Sequence, residues 1–112
     1  MPNVFIAQRQ PHLDFTAAEE HGKVQFIMPT GTQIWSDRDV AEFTQIAREK
    51  LRDCTEQDSV VLTGDPIQMA ICFSIMAEHN DGLVRVLKWD RRKGAHGGYT
   101  SILVDVDAQP AY

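Results

Sequence analysis

One junction in the chain combines the features that bind anions at the end of a strand. Thr63, Gly64 and Asp65 stand where a β-branched run, 60–63, gives way to an apolar helix that begins with Pro66. Free backbone N–H groups and the positive end of a helix dipole favour a phosphate or carboxylate there, and glycine lets a ligand approach the backbone. Asp65, as the N-cap, fills part of that field with its own carboxylate. A capped turn without a ligand is the alternative interpretation.

A second segment concentrates positive charge. Five of the eleven Lys and Arg residues lie in the window 85–93, against the single acid Asp90, although the chain carries a net charge of −5. In this window Trp89 can stack on a nucleobase, and Arg91 or Arg92 can bind a phosphate through two hydrogen bonds. The alternative is a solvated hairpin tip in which Asp90 pairs with one of these arginines.

The histidines do not indicate a metal site, because none of the four has the partner spacing of a zinc ligand. His96, among glycines and beside the basic window, is the one that we expect to contact a ligand. Asp65, Asp90 and His96 allow a further interpretation, hydrolysis of a phosphodiester. The sequence has no nucleophile elbow and no paired-carboxylate motif, so we predict no catalytic residues, no metal and no cofactor.

The composition favours one globular domain over a nucleic-acid-binding or membrane protein. A chain of 112 residues with 43% hydrophobic and 24% charged residues is typical of one globular domain. The acidic balance argues against a broad nucleic-acid surface, and no apolar run predicts a membrane span or a signal peptide. Cys54 and Cys72 lack metal-type spacing and are expected to be reduced, partly buried thiols, which fits a cytoplasmic protein.

The pattern of residues predicts the elements that hold these segments. Alternating or β-branched runs predict strands at 4–8, 24–28, 60–63, 83–89 and 99–106, and a short helix at 14–22 precedes the second strand. Ser36 caps a helix with an apolar stripe over 40–51, and a helix over 67–78 is apolar almost all round. The latter predicts full burial or one face packed in a homo-oligomer. The tail 107–112 is expected to be loose.

The order of these elements predicts a single small three-layer α/β domain over 1–112. The strand–helix–strand unit over 59–90 makes its two strands parallel and places their carboxyl ends side by side. The last strand follows a loop of about nine residues and is therefore expected to be antiparallel. We predict a four- to five-stranded mixed sheet, Rossmann-like at its parallel centre, with helices on both faces.

Two motifs resemble a known family. The sequence TGDP at 63–66, and LKWD at 87–90 followed by a strand begun by Tyr99, is similar to that of small α/β proteins encoded by tailed phages and related mobile elements. The resemblance spans most of the chain and implies a viral or mobile-element origin and work in the host cytoplasm. It implies no activity. The basic, glycine-rich loop 91–98 is longer here than in that pattern, so a ligand shared through this loop does not follow from the resemblance.

We therefore predict a non-enzymatic, phage-type accessory protein. It binds a small anionic ligand, for instance a nucleotide signal, at the carboxyl ends of the parallel strands through Thr63, Gly64, Asp65, Trp89, Arg91, Arg92 and His96. The alternative is an acidic interaction factor that binds a host protein and inhibits or redirects it. Its contact surface would be the acidic patches 37–42 and 53–58 or an exposed sheet edge.

Overall fold

The chain forms a mixed five-stranded sheet covered by helices, as predicted. A computed structural model describes residues 1–108 and contains β1 (Asn3–Gln8), a 3₁₀ helix (Thr16–His21), β2 (Lys23–Met28), α1 (Asp37–Lys50), β3 (Ser59–Val61), α2 (Pro66–His79), β4 (Leu83–Asp90) and β5 (Gly98–Asp105). The strand order is β2-β1-β3-β4-β5, with β5 antiparallel to β4 and the other pairs parallel. The parallel centre and the antiparallel last strand are both confirmed.

Both long helices begin at caps that the sequence indicates. Ser36 Oγ accepts a hydrogen bond of 3.1 Å from the Asp39 backbone N–H, and Pro66 occupies the first turn of α2 after the N-cap Asp65. These contacts satisfy N–H groups that a helix leaves without an internal partner. The two helices therefore start at defined points above the sheet.

Alternating side chains divide the core into two layers. Phe5, Val60 and Val84 face α1 and α2, where Phe43 and Met76 complete the larger cluster. The opposite face packs against the 3₁₀ helix through a smaller cluster formed by Val4, Ile6, Phe15, Ala18, Val61, Leu87 and Tyr99. Because successive strand residues point to opposite faces, both layers follow from one run of apolar strand residues.

Helix α2 is less buried than its composition suggests. Cys72, Ile75 and Met76 face the core, but Ile67 is 46% exposed and Ala70 is exposed as well. Of the two alternatives, full burial within the chain is wrong, because α1 and the sheet cover only part of the helix circumference, and one face packed in a homo-oligomer stays a prediction. Both cysteines are free and buried, and burial raises the pKa of Cys72 to about 12.

The strands have unequal lengths, which shapes the carboxyl edge of the sheet. β3 has three residues and β4 has eight, and the β3–β4 ladder joins only Ser59 to Arg85 and Val60 to Val86. The last three residues of β4, 88–90, therefore extend beyond β3 beside a gap. At the other end, Asp105 to Ala108 form a hydrogen-bonded turn. The rest of the predicted loose tail, 109–112, lies outside the described residues.

Candidate functional site

The gap beyond β3 is a cleft of about 530 Å³ at the carboxyl ends of β3 and β4, called here the strand-end cleft. Thr63 and Lys88 are the polar residues at its rim, whereas most of its wall is apolar. The apolar wall includes Leu13, Phe15, Leu62, Phe73, Leu87 and Ile102. Concave, mainly apolar surfaces with a few polar groups are the usual form of small-molecule sites. The cleft therefore suits a ligand with an apolar body.

A smaller basic pocket of about 400 Å³ adjoins the cleft and shares Lys88, Trp89 and Ile102 with it. Arg91 and Arg92, two of the residues that the sequence predicts to contact an anion, line this pocket. Arg92 Nε lies 3.1 Å from Asp90 Oδ1, and this hydrogen bond lowers the pKa of Asp90. Within residues 1–108, the side chains of Lys88 and Arg91 have no ion pair, so their charges face solvent.

Trp89 is held in place by contacts on its ring. Its indole meets Tyr99 edge to face, with ring centroids 5.1 Å apart. A Cβ atom added to Gly97 would lie 2.5 Å from Trp89 Cζ2, so this glycine packs directly on the indole. The side chain is still 44% exposed and lines both the cleft and the basic pocket. Only its uncovered part is available for stacking on a ligand.

Lys93 has a structural role in the basic window. Its Nζ donates to Glu20 Oε1 at 2.9 Å and to the Tyr99 carbonyl at 2.6 Å. The hydrogen bond from Lys93 is the largest cause of the lowered pKa of Glu20. His21 Nε2 lies 3.2 Å from the same Tyr99 carbonyl. These contacts tie the loop after β4 to the 3₁₀ helix.

Gly64 and Asp65 lie at a different crevice, between the carboxyl ends of β1 and β3. A Cβ atom on Gly64, whose φ is +99°, would overlap Oε1 of Gln8 and lie 2.7 Å from Cβ of Gln8. The Asp65 carboxylate accepts backbone N–H groups from Ile34 at 3.1 Å, Ile67 at 2.8 Å and Gln68 at 3.3 Å. The space and the donors predicted for a ligand are thus occupied by the protein's own side chains.

Three glutamines fill this crevice. Nε2 of Gln8 and Nε2 of Gln68 both donate to the Thr32 carbonyl, the latter at 3.3 Å, and Gln10 Nε2 donates to Gln8 Oε1 at 3.1 Å. Gln68 is fully buried, and its Oε1 has no hydrogen-bond partner within the described chain. Sequence reasoning missed this cluster because its members come together only through the β1–β3 pairing. That strand order makes the crevice the topological switch point of the sheet.

The groups considered for hydrolysis remain apart. Asp65 caps α2, Asp90 pairs with Arg92, and His96 is exposed on the loop after β4. None of the three is hydrogen-bonded to another in residues 1–108. The same described residues contain no group of three His, Cys, Asp or Glu side chains that could hold a metal ion. His96 also lies outside the linings of the cleft and the basic pocket.

Comparison with known proteins gives a family. Residues 2–106 match the family described as Phage Pam3 gp32-like protein. No curated protein and no solved structure matches the chain. Among residues 1–108, no helix has the length and apolar character needed to cross a bilayer.

Proposed function

The chain belongs to the phage Pam3 gp32-like family, and from this premise we propose that it is a phage accessory protein that binds a small amphiphilic anion without turning it over. The supporting observation is the continuity of the apolar strand-end cleft with the basic pocket. An apolar or aromatic body would fill the cleft, and a carboxylate or phosphate would lie near Lys88 and Arg91. A nucleotide has both parts: its base would contact Trp89 and its phosphate would bind these two cations.

The proposal keeps part of the predicted site and replaces the rest. Thr63 and Trp89 line one cleft, and Arg91 and Arg92 line the pocket beside it. Arg92 is already paired with Asp90, so we assign the anion contact to Lys88 and Arg91. The wall is apolar, and burying an unpaired polar group against it would cost free energy. The ligand's charge should therefore remain at the rim.

Two fluorescent probes that differ mainly in charge test the proposal. We expect 8-anilinonaphthalene-1-sulfonate to bind saturably, and the Lys88→Gln, Arg91→Gln double variant to weaken it about tenfold at low salt. The uncharged N-phenyl-1-naphthylamine should bind the variant and the wild type equally. Arg48→Gln, which removes an α1 cation that pairs with Glu78 and lies outside both linings, is the control for a change of charge elsewhere. Absence of saturable binding, or equal loss for both probes, would contradict the assignment.

Nucleotide binding needs a separate measurement. The chain has two tryptophans, and Trp35 is 83% exposed and outside the lining of the cleft. Trp35→Phe therefore makes Trp89 the sole tryptophan reporter. Saturable quenching by adenosine monophosphate that weakens with added salt would identify a nucleotide as the ligand class. Binding of the sulfonate probe without quenching by the nucleotide would restrict the ligand to other amphiphilic anions.

A second candidate function is interaction with a host protein, and the outer face of α2 favours it. Pro66, Ile67, Ala70 and Ser74 are exposed on one side of the helix, and no charged residue stands in 66–77. The acidic patches considered first are partly engaged within the chain. Asp39 accepts the Trp35 N–H at 2.9 Å, and Asp58 accepts the Asn3 N–H at 2.7 Å.

Pull-down from host lysate separates the two surfaces. If α2 is the contact, Ala70→Lys should remove the retained host protein and Asp37→Asn should keep it. Loss of the host protein with Asp37→Asn but not with Ala70→Lys would assign the contact to the acidic patch instead. Retention of the same protein by both variants would argue against both surfaces.

A further inference from the structure

The two outer edges of the sheet, β2 and β5, differ in how far their side chains hinder pairing with another strand. At the β2 edge, Lys50 Nζ lies 3.5 Å from the Phe26 carbonyl, and Lys23 and Gln25 are exposed polar residues. The β5 edge is eight residues long and bears Ile102 and Leu103, which are 43% and 49% exposed. Asp105 at its end is the one charged residue of β5, and long, largely apolar edge strands are templates for pairing with another strand. In residues 1–108, β5 pairs only with β4.

The backbone of β5 shows which groups face outward. The Val106 N–H donates to the Gly82 carbonyl at 2.9 Å and continues the β4–β5 ladder. In an antiparallel ladder alternate residues direct both backbone groups to the neighbouring strand, so the even-numbered residues of β5 face β4. The backbone N–H and C=O groups of the odd-numbered residues therefore point to the free edge; these residues are Tyr99, Ser101, Leu103 and Asp105. The Tyr99 carbonyl already accepts Lys93 Nζ and contacts His21.

We propose that β5 pairs antiparallel with β5 of a second copy, about a two-fold axis at Leu103, and joins two five-stranded sheets into one. Leu103 then lies opposite Leu103 of the second copy, Ile102 opposite Val104, and Ser101 opposite Asp105. In this register the paired backbone groups are those of Ser101, Leu103 and Asp105, and the Tyr99 contacts stay intact. The three consecutive apolar residues 102–104 match themselves across the axis.

Charge along the edge favours this occupant and this direction. β5 begins beside the basic loop, where Arg91 has no ion pair in residues 1–108 while Arg92 and Lys93 pair with Asp90 and Glu20, and it ends at Asp105. Antiparallel pairing brings the acidic end of each strand toward the basic end of the other, whereas parallel pairing would place like charges together. A second copy carries the complementary charge at each end, so the edge recognises itself.

The pairing also affects the strand-end cleft. Ile102 and Val104 line the cleft on the side of β5. In the proposed register each of them gains an apolar neighbour from the second copy on the same face of the sheet. The second copy therefore extends the wall of the cleft with its own Val104 and Ile102.

Mass measurement in solution, by light scattering over the micromolar range, tests the pairing. The wild type is expected at twice the chain mass of 12.6 kDa. Leu103→Pro removes the outward N–H without removing a bond to β4 and should give the single-chain mass. Leu103→Lys places two like charges across the axis and should act in the same way if the proline variant fails to fold. Ile46→Lys, at a 37% exposed position of α1 outside this edge and outside the cleft, should remain dimeric.

Amide hydrogen exchange gives a residue-specific test in the same samples. The N–H groups of Thr100, Ile102 and Val104 should be protected in the wild type and in Leu103→Lys, because they bond to β4. Those of Ser101, Leu103 and Asp105 should be protected in the wild type alone. A wild type of single-chain mass, or outward N–H groups that exchange freely in a dimer, would overturn the proposal. A dimer that Ala70→Lys dissociates and Leu103→Lys does not would assign the contact to α2 and overturn it as well.

Discussion

The carboxyl edge of the sheet has two neighbouring crevices of opposite character, and the segment 62–66 borders both. The crevice between β1 and β3 is filled by three glutamine side chains: Gln8 and Gln68 donate to the Thr32 carbonyl, and Gln10 donates to Gln8. The crevice between β3 and β4 is the open, apolar strand-end cleft. Open α/β sheets bind ligands most often at the switch point, which is the first of these crevices.

The difference shows how strand length can move a site. Apart from Gln68 Oε1, side-chain amides and the Asp65 carboxylate pair the polar groups described at the switch point, so that crevice stabilises the fold. β3 has three residues and β4 has eight, and this mismatch leaves space one strand further along the sheet. The first crevice should therefore respond to mutation through stability, and the second through binding.

The largest effect is expected at Gly64. Gly64→Ala forces a side chain into a positive φ and into the Gln8 amide, and should lower the free energy of unfolding by about 2–4 kcal/mol. Gly94→Ala is the matched control, since Gly94 also has a positive φ, +71°, but no atom within 4 Å of an added Cβ. It should cost about 1 kcal/mol. Urea unfolding measures both, and equal losses would show that the filled crevice is not tightly packed.

Asp65 should give the next largest effect, together with a pH dependence. Burial raises the pKa of Asp65, but its bonds from the Ile34, Ile67 and Gln68 N–H groups outweigh burial and lower it below 3.8. The stabilisation is therefore complete above the ordinary carboxyl pKa and is lost as pH falls through the lowered value. Asp65→Ala should cost about 1–2 kcal/mol at neutral pH, measured by urea unfolding.

Asp65→Asn separates the hydrogen bonds from the charge. Its side-chain oxygen can still cap α2, so it should lose less stability than Asp65→Ala at neutral pH. The part of the acid dependence that comes from Asp65 should disappear in both variants. An unchanged stability profile between pH 2 and pH 5, a window of about three units around the carboxyl pKa, would contradict the role of the charge.

Within the glutamine cluster, two similar substitutions should differ. Gln68→Met removes the 3.3 Å hydrogen bond to the Thr32 carbonyl and also a buried Oε1 that has no partner in residues 1–108, so the two effects oppose each other and the stability should change by less than about 1 kcal/mol. Gln8→Met removes a donor to Thr32 and an acceptor for Gln10, so it should cost more, about 1–2 kcal/mol. Thermal unfolding of the two variants in parallel shows which one is less stable. A larger loss of stability for Gln68→Met would contradict the greater structural importance of Gln8.

The smallest effect on stability is expected in the open cleft. Leu62 is 37% exposed at the rim, and Leu62→Ala should change the free energy of unfolding by about 0.5 kcal/mol or less. The same variant should weaken binding of N-phenyl-1-naphthylamine, measured by fluorescence titration. If Leu62→Ala destabilises the protein as much as Gln8→Met, the contrast between the two crevices fails.

Local patterns predicted most of the elements. Ser36, Asp65 and Pro66 mark helix starts that the structure reproduces, because capping depends on residues within one turn. The strand–helix–strand unit over 59–90 also predicts a parallel pair, since such a crossover leaves few alternatives. The length of β3 was not predictable in the same way, because strand ends depend on the neighbouring strands.

The sequence predicts only the part of the candidate site that lies within one local β-α-β unit. Thr63 and Trp89 come together in one cleft because each follows or ends a strand of the same β-α-β unit. Gly64 lies elsewhere, against Gln8, a residue distant in sequence that only the β1–β3 pairing brings near. The exposed face of α2 also contradicts its apolar composition, since burial depends on what packs against the helix.

The sequence by itself determined the helix caps, the parallel central unit, the antiparallel last strand and the basic window before β5, because these depend on neighbouring residues and short connections. Only the tertiary structure decided which crevice is filled and which is open, and which sheet edge is left apolar. Those outcomes depend on strand order and relative strand length, which arise from contacts between residues far apart in the chain.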